Sequence, residues 1–280
     1  MRVIRKREDG FHDLETVFLR IGWKDELTFS LDPSTGSDRN TRISMSCSDP
    51  HLPVNEENLC IRAANALMDA PPSSRQGLDD LHISLHKQIP YGAGLGGGSS
   101  DAATVLTACS SLWKIESDLH QIGTQLGSDV PFFLGTGVAF GSGRGEVLAE
   151  MSFPPALRQT RLLVVVPEQR VSTADAFRHV TPNDDRLSDL KELVAKGTLQ
   201  DWNGELVNDF EPSVFAQYPV VGDLKEHFLS SGASYASMSG SGSAVFGIFT
   251  SEAESQTARA SLQSKWPSIA YWEGASDAAL

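Results

Sequence analysis

Between Lys87 and Ala102 the chain reads Lys-Gln-Ile-Pro-Tyr-Gly-Ala-Gly-Leu-Gly-Gly-Gly-Ser-Ser-Asp-Ala. Gly92, Gly94, Gly96, Gly97 and Gly98 lie within seven positions, and Ser99, Ser100 and Asp101 follow directly. Glycine loses more backbone freedom on folding than any other residue, so such a run has a use only where φ must be positive or a ligand must reach the main chain. Upstream, residues 81–89 alternate apolar and polar side chains, as in a half-buried strand. Downstream, Ala102, Val105, Leu106, Cys109, Leu112 and Trp113 recur at helical spacing, with Ser99 or Ser100 as the expected N-cap. A strand, a glycine loop and a helix N-terminus together offer unpaired N–H groups and partial positive charge, which is a cradle for phosphate.

A second chemical residue is Asp129, in Gly127-Ser-Asp-Val-Pro-Phe132. A carboxylate on a rigid bend before Pro131 can orient a hydroxyl and accept its proton. The same spacing suits a turn-capping aspartate equally well.

The glycine loop is not a Walker A loop, because no Lys follows Gly98. Gly92 to Gly97 does match G-x-G-x-x-G, but that dinucleotide fingerprint needs a second strand ending in an acid about 20 residues on. Glu116 and Asp118 stand near that distance, but residues 113–118 are too polar for a buried parallel strand. Pro90 to Ala102 instead resembles the P-x-x-x-G-L-G-G-G-S-S-D/N-A pattern of the GHMP kinases, the superfamily of galactokinase and of homoserine, mevalonate and phosphomevalonate kinases. Five further segments resemble that superfamily in order. They are Asp9-Gly-Phe-His12 with Glu15-Thr-Val17, Glu57-Asn-Leu59 with Arg62-Ala-Ala64, Gly127 to Phe132, Gly141 to Glu146, and Ser237 to Gly242. Phe11-His12 is most similar to the branch that handles a cytidine-linked substrate.

The resemblance implies ATP as phosphoryl donor, with Mg²⁺, and a cytidine diphosphate-linked methylerythritol as acceptor. It implies an α+β fold in two domains. The amino-terminal half would be ribosomal S5 domain 2-like and ATP-binding (1–153), the carboxy-terminal half ferredoxin-like (154–280), with the boundary at Pro154-Pro155 and the active site between them. By this resemblance Asp129 is the catalytic base. The nucleotide side comprises Asn58, Lys87, Pro90, Tyr91, Gly92, Ala93, Gly94, Leu95, Gly96, Gly97, Gly98, Ser99 and Ser100, the two serines meeting phosphate oxygens or the ion. No protein metal site is implied. Phe11 and Phe177 would sandwich the pyrimidine, His12 would bond its edge, and Thr173 would touch the substrate. Other readings remain for some of these, Asn58 as a plain helix cap and Phe11 and Phe177 as core, while Gly240 to Gly242 are expected to let their loop pack against the glycine loop rather than to touch substrate. Two other functions fit less of the pattern, namely a GHMP kinase for a smaller alcohol and a nucleotide-binding protein without transfer. The family's first strand carries a Lys that has no counterpart here. Only Met1 to Ile4 aligns with its tail, so a frayed end, an open sheet edge and weak self-association are expected.

Composition fits this class. The 280 residues are 40% hydrophobic and 21% charged, with a formal net charge of −13. That charge argues against nucleic acid and anionic membranes as partners, and it leaves a polyphosphate to be held by local donors. Three scattered cysteines form no metal or disulfide pattern. No apolar signal segment or membrane-length run is read, so the expected location is cytoplasmic, as a monomer or weak homodimer. Expected strands are 15–21, 25–31, 43–47, 81–89, 138–140, 161–166 and 244–249. Expected helices are 58–68, 119–126, 172–178, 187–199, 206–215 and 252–266, with polar loops at 32–42 and 69–80, a bend at 128–133 and a small-residue loop at 232–242. Strands and helices mix without a strict βαβ repeat, which supports α+β.

Overall fold

The computed structural model describes residues 1–33, 42–70, 78–135, 137–186 and 188–276. The inner parts of the expected loops at 32–42 and 69–80, with Gly36 and Pro71-Pro72, lie outside the described residues, as does Leu187. In chain order the first elements are β1 (Arg2–Lys6), β2 (His12–Leu19), β3 (Glu26–Asp32), β4 (Ile43–Cys47), α1 (Leu59–Asp69), β5 (Asp80–His86), α2 (Gly97–Trp113), α3 (Leu119–Leu126) and α4 (Val130–Phe133). Then come β6 (Val138–Ser142), β7 (Val147–Glu150), β8 (Arg161–Val166), α5 (Thr173–His179), α6 (Leu190–Lys196), α7 (Leu199–Trp202), α8 (Glu211–Gln217), α9 (Pro219–Ser230), β9 (Tyr235–Met238), β10 (Val245–Phe249), α10 (Glu252–Lys265) and β11 (Ala270–Ala275).

The chain packs as two units. One comprises residues 1–22, 90–95 and 137–280, the other 23–89 and 96–136. The first holds two antiparallel sheets, ordered β1-β2-β6-β7 and β11-β8-β10-β9. Its core is built from Val3, Leu14, Leu163, Val165, Phe210, Leu224, Phe228 and Phe249. The second holds the sheet β3-β5-β4, in which β4 runs parallel to β5. Leu81, Ile83 and Leu85 point from β5 into a core with Leu67, Leu106 and Cys109. The other face is polar, with Ser44 and Ser46 hydrogen-bonded to His82 at 2.9 and 3.1 Å. The period-two alternation of this strand is thus an apolar face on α1 and α2 and a hydroxyl-rich face outside.

Several expectations are corrected. β2 begins at His12 and ends at Leu19, so the strand expected from Glu15 starts three residues earlier and carries His12. The strand from 81 ends at His86, before the glycine loop. The bend at 128–133 contains the short helix α4. The single helix expected over 187–199 is α6, which stops at Gly197, followed by α7, capped by the Thr198–Asp201 capping box. Residues 206–210 are not helical, and α8 starts at Glu211 with Pro212 in its first turn. The loop at 232–242 contains β9, all four of whose residues are buried. α9 and β11 were not expected from the sequence. The amino terminus is not a frayed stub. β1 pairs with β2, the Val3 amide donates to Asp209 Oδ2 at 2.7 Å, and the Asp209 amide donates to the Met1 carbonyl at 3.0 Å. β1 is nonetheless an edge strand. No described helix is long and apolar enough to cross a membrane.

The three cysteines are free thiols. Burial pushes the Cys60 and Cys109 thiols up to about 12, so neither ionises at neutral pH. A thiol reagent at pH 7 is expected to modify half-buried Cys47 first; equal rates at all three positions in the folded protein would contradict this packing.

Candidate active site

Three glycines of the loop take left-handed φ, +72° at Gly92, +75° at Gly94 and +68° at Gly96. Gly96 is the N-cap of α2 and supplies no side-chain bond. This corrects the expected cap. α2 starts at Gly97, and Ser99 and Ser100 stand in its first turn rather than before it. The first backbone bond of the helix runs from the Ser100 amide to the Gly96 carbonyl at 2.9 Å. The amides of Gly97, Gly98 and Ser99 therefore have no partner within the helix, as geometry requires of a first turn. A side chain at position 96 would approach Phe133 to 3.0 Å, and one at 97 would approach Lys87 Nζ to 3.2 Å.

Within the first unit, the loop at 239–242 packs on the earlier half of the glycine run. Ser239 Oγ donates to the Gly94 carbonyl at 2.8 Å, and the Ala244 amide donates to the Ala93 carbonyl at 2.9 Å. This is the packing role expected for Gly240 to Gly242. Two residues that sequence reading passed over hold the loop. Asn208 Nδ2 donates to the Met238 and Gly240 carbonyls, both at 2.8 Å. Glu211 Oε1 accepts from the Met238 amide and from Ser237 Oγ, each at 2.9 Å, while its Oε2 accepts from Lys225 at 2.6 Å. No local sequence signal marks either residue, since their partners lie some 30 residues downstream.

Lys87 does not stand free at the loop's mouth. Its side chain is only 5% exposed, and its ammonium contacts Asp25 and, at 3.0 Å, Asp101. Burial alone would pull the ammonium down, but Asp101 and Asp25 hold it above the usual lysine range. Burial pushes Asp101 up to about 6, against the opposing pull of Lys87. Because the folded value exceeds the unfolded one, the stability from protonated Asp101 is present in acid and lost as pH rises through about 6.

Asp129 is half-buried at the start of α4. Its side chain makes no capping hydrogen bond, which removes the simple cap reading. Burial holds its carboxyl above the ordinary carboxylate range. Asn58 is the N-cap of α1. Its Oδ1 accepts from the Cys60 amide at 2.9 Å and its Nδ2 donates to the Pro53 carbonyl at 2.8 Å, so its amide group is committed to the fold.

On the first unit, the His12 and Phe177 rings stack with centroids 5.2 Å apart. Phe210 meets Phe177 edge-on at 4.8 Å. Burial lowers the His12 imidazole below its usual range, with Lys6 adding to it, which leaves a neutral ring with one donor and one acceptor. Phe11 is 52% exposed and lies under the Arg144 guanidinium at 4.8 Å. The structure thus pairs His12 with Phe177 and sets Phe11 with Arg144, a residue the sequence reading did not single out. Thr173 opens α5, and its hydroxyl lies 3.0 Å from Ser241 Oγ. Tyr91 is equally exposed, with the Arg170 guanidinium 5.9 Å from its ring centre.

Comparison with known proteins identifies the family. Residues 58–137 match the GHMP kinases N terminal domain and residues 187–268 the GHMP kinases C terminal domain. A 4-diphosphocytidyl-2-C-methyl-D-erythritol kinase of Chlorobium phaeobacteroides (strain BS1) is 44% identical over 271 residues, covering 94% of this chain and 89% of the relative. One of Salinibacter ruber (strain DSM 13855 / M31) is 41% identical, covering 95% and 91%. A crystal structure of 4-(cytidine 5'-diphospho)-2C-methyl-D-erythritol kinase superposes with a TM-score of 0.78 at 33% identity, covering 98% of this chain and 93% of that one. Homoserine kinase from Cytophaga hutchinsonii shares the fold at a TM-score of 0.67 and 17% identity, covering 94% and 93%. The chain belongs to the GHMP kinases, and within them to the 4-diphosphocytidyl-2-C-methyl-D-erythritol kinase family.

Proposed function

We propose that this chain transfers the γ-phosphoryl group of ATP to the 2-hydroxyl of 4-diphosphocytidyl-2-C-methyl-D-erythritol, a step of the non-mevalonate isoprenoid route. The observation that supports it most is the open N-terminus of α2 behind a glycine run with three left-handed φ values. Its first-turn amides, which have no partner within the helix, suit the donor's phosphates without any general positive field. The acceptor oxygen forms the new bond to the γ-phosphorus, the bond to the β–γ bridging oxygen breaks, ADP leaves, and Asp129 takes the hydroxyl proton. His12, Phe177 and Phe11 hold the cytosine, and Thr173 contacts the same substrate. Pro90 to Ser100 bind the nucleotide, with Asn58 lending backbone and shape rather than its committed amide.

Among the described residues no group of three or more His, Cys, Asp or Glu could hold a metal ion. Mg²⁺ carried by the phosphates needs few protein donors, and the Ser99 and Ser100 hydroxyls in the first turn of α2 fit that need. The ion would offset charge on the phosphates. The enzyme is cytoplasmic, a monomer or weak homodimer, with an ATP-binding amino-terminal domain (1–153) and a second domain (154–280).

CDP is expected to compete with the cytidyl substrate, and AMP not to compete at that site. Phe177→Ala removes a stacking face worth about 1–3 kcal/mol, which raises KM for the cytidyl substrate roughly 5- to 150-fold and leaves KM for ATP near its original value. Indifference to CDP, with phosphorylation of homoserine or mevalonate, would overturn the substrate assignment.

A further inference from the structure

The glycine run is long and intrinsically costly to order, yet the two ends of the segment that carries it are tied together beneath it. Lys87 immediately follows β5, and Asp101 lies in the second turn of α2. Lys87 Nζ reaches Asp101 Oδ2 at 3.0 Å, which brings together the two sides of the Pro90–Ser100 segment. The same ammonium contacts Asp25 Oδ2. Asp25 Oδ1 accepts from the Gln88 amide at 2.6 Å and the Ile89 amide at 2.9 Å, the last two amides before Pro90. Asp25 and Lys87 are nearly sealed from solvent, at 1% and 5% side-chain exposure, and Asp101 is at 5%. No open strand or exposed helix needs a buried cluster of two carboxylates and one ammonium, since taking three charges out of water is expensive unless each is paired. The cluster lies directly under the first turn of α2, 3.2 Å from where a side chain at Gly97 would sit.

We infer that Asp25, Lys87 and Asp101 are positioning residues that close the base of the glycine loop and hold it ready for the donor's phosphates. This rests on the reading of that loop as the ATP cradle. The cluster orders the loop before ATP arrives, so binding does not have to supply the ordering free energy of five glycines. Lys87 therefore serves the nucleotide through the backbone and not as a direct phosphate ligand.

The test is Asp25→Asn, which keeps an oxygen for the two amides and removes the charge that holds Lys87. Hydrogen exchange of residues 92–100 is measured without ATP, alongside steady-state kinetics. Loss of a charged hydrogen bond predicts about tenfold faster exchange in the loop and about a tenfold rise in KM for ATP, with KM for the cytidyl substrate within about twofold. Unchanged loop exchange in a folded variant overturns the inference, as does faster exchange with KM for ATP unchanged. Should Asp25→Asn not fold, the same measurements on Asp101→Asn decide; failure of both to fold would mark the cluster as a folding element and reject a positioning role. A wild-type protein whose loop exchange ignores ATP would instead refute the ATP reading, and the ATP-free exchange would still judge the loop closure.

Discussion

Asp129→Asn is expected to lower kcat by about a hundredfold or more, the scale of general base catalysis, while KM for ATP changes little. Its stability should not fall. The side chain makes no capping bond, and burial raises its carboxyl pKa above the unfolded value. Any stability from the protonated form is present in acid and is lost as pH rises through the folded pKa, so at neutral pH the ionised carboxylate is a net cost. The variant's Tm should equal or exceed that of the parent, with the gap widening as pH rises. The parent's kcat should fall on the acid side at a pH above the ordinary carboxylate range. Near-normal turnover in the variant would remove Asp129 from the chemistry, and a large Tm loss would show that it supports the fold.

Gly94→Ala should be the most damaging single methyl in the glycine run. At φ +75° an alanine is strained by about 1–2 kcal/mol. Its Cβ would overlap the Ser239 carbonyl and come within 2.8 Å of the Gly242 carbonyl, both backbone atoms that cannot swing away. Overpacking of that kind adds about 1–3 kcal/mol. The total, about 2–5 kcal/mol, corresponds to a Tm loss of roughly 4–20 °C for a chain of this size. Gly92→Ala is the control. Its φ of +72° brings the same strain, but nothing lies within 4 Å of its Cβ. Equal losses at the two positions would show that the packing of the 239–242 loop on Gly94 contributes nothing.

What was legible in the sequence follows from how local the responsible forces are. Periodicity gave β4, α3 and β8 their observed limits, because an alternating or helical stripe is written in consecutive residues. The glycine loop was legible because φ requirements constrain residue type directly. The N-cap of α2 was misplaced because a glycine cap leaves no polar side chain to read, and two serines nearby offered a false one. β9 was missed because Tyr-Ala-Ser-Met is buried on every residue and shows no alternation. Adjacency to the loop places Lys87 on the nucleotide side. Its partner Asp25 lies 62 residues earlier, and only the fold brings the two together. Asn208 and Glu211 were silent for the same reason, since their partners lie some 30 residues downstream. The stack of His12 on Phe177 comes from the fold, since no spacing rule joins residues so far apart.

The most direct measurement is ADP release by the purified chain with ATP, Mg²⁺ and 4-diphosphocytidyl-2-C-methyl-D-erythritol, followed beside parallel reactions with homoserine and with mevalonate. Saturable ADP release with the cytidyl substrate, inhibited by CDP and absent with the two smaller alcohols, is the predicted result. ADP release with homoserine or mevalonate and none with the cytidyl substrate would contradict it.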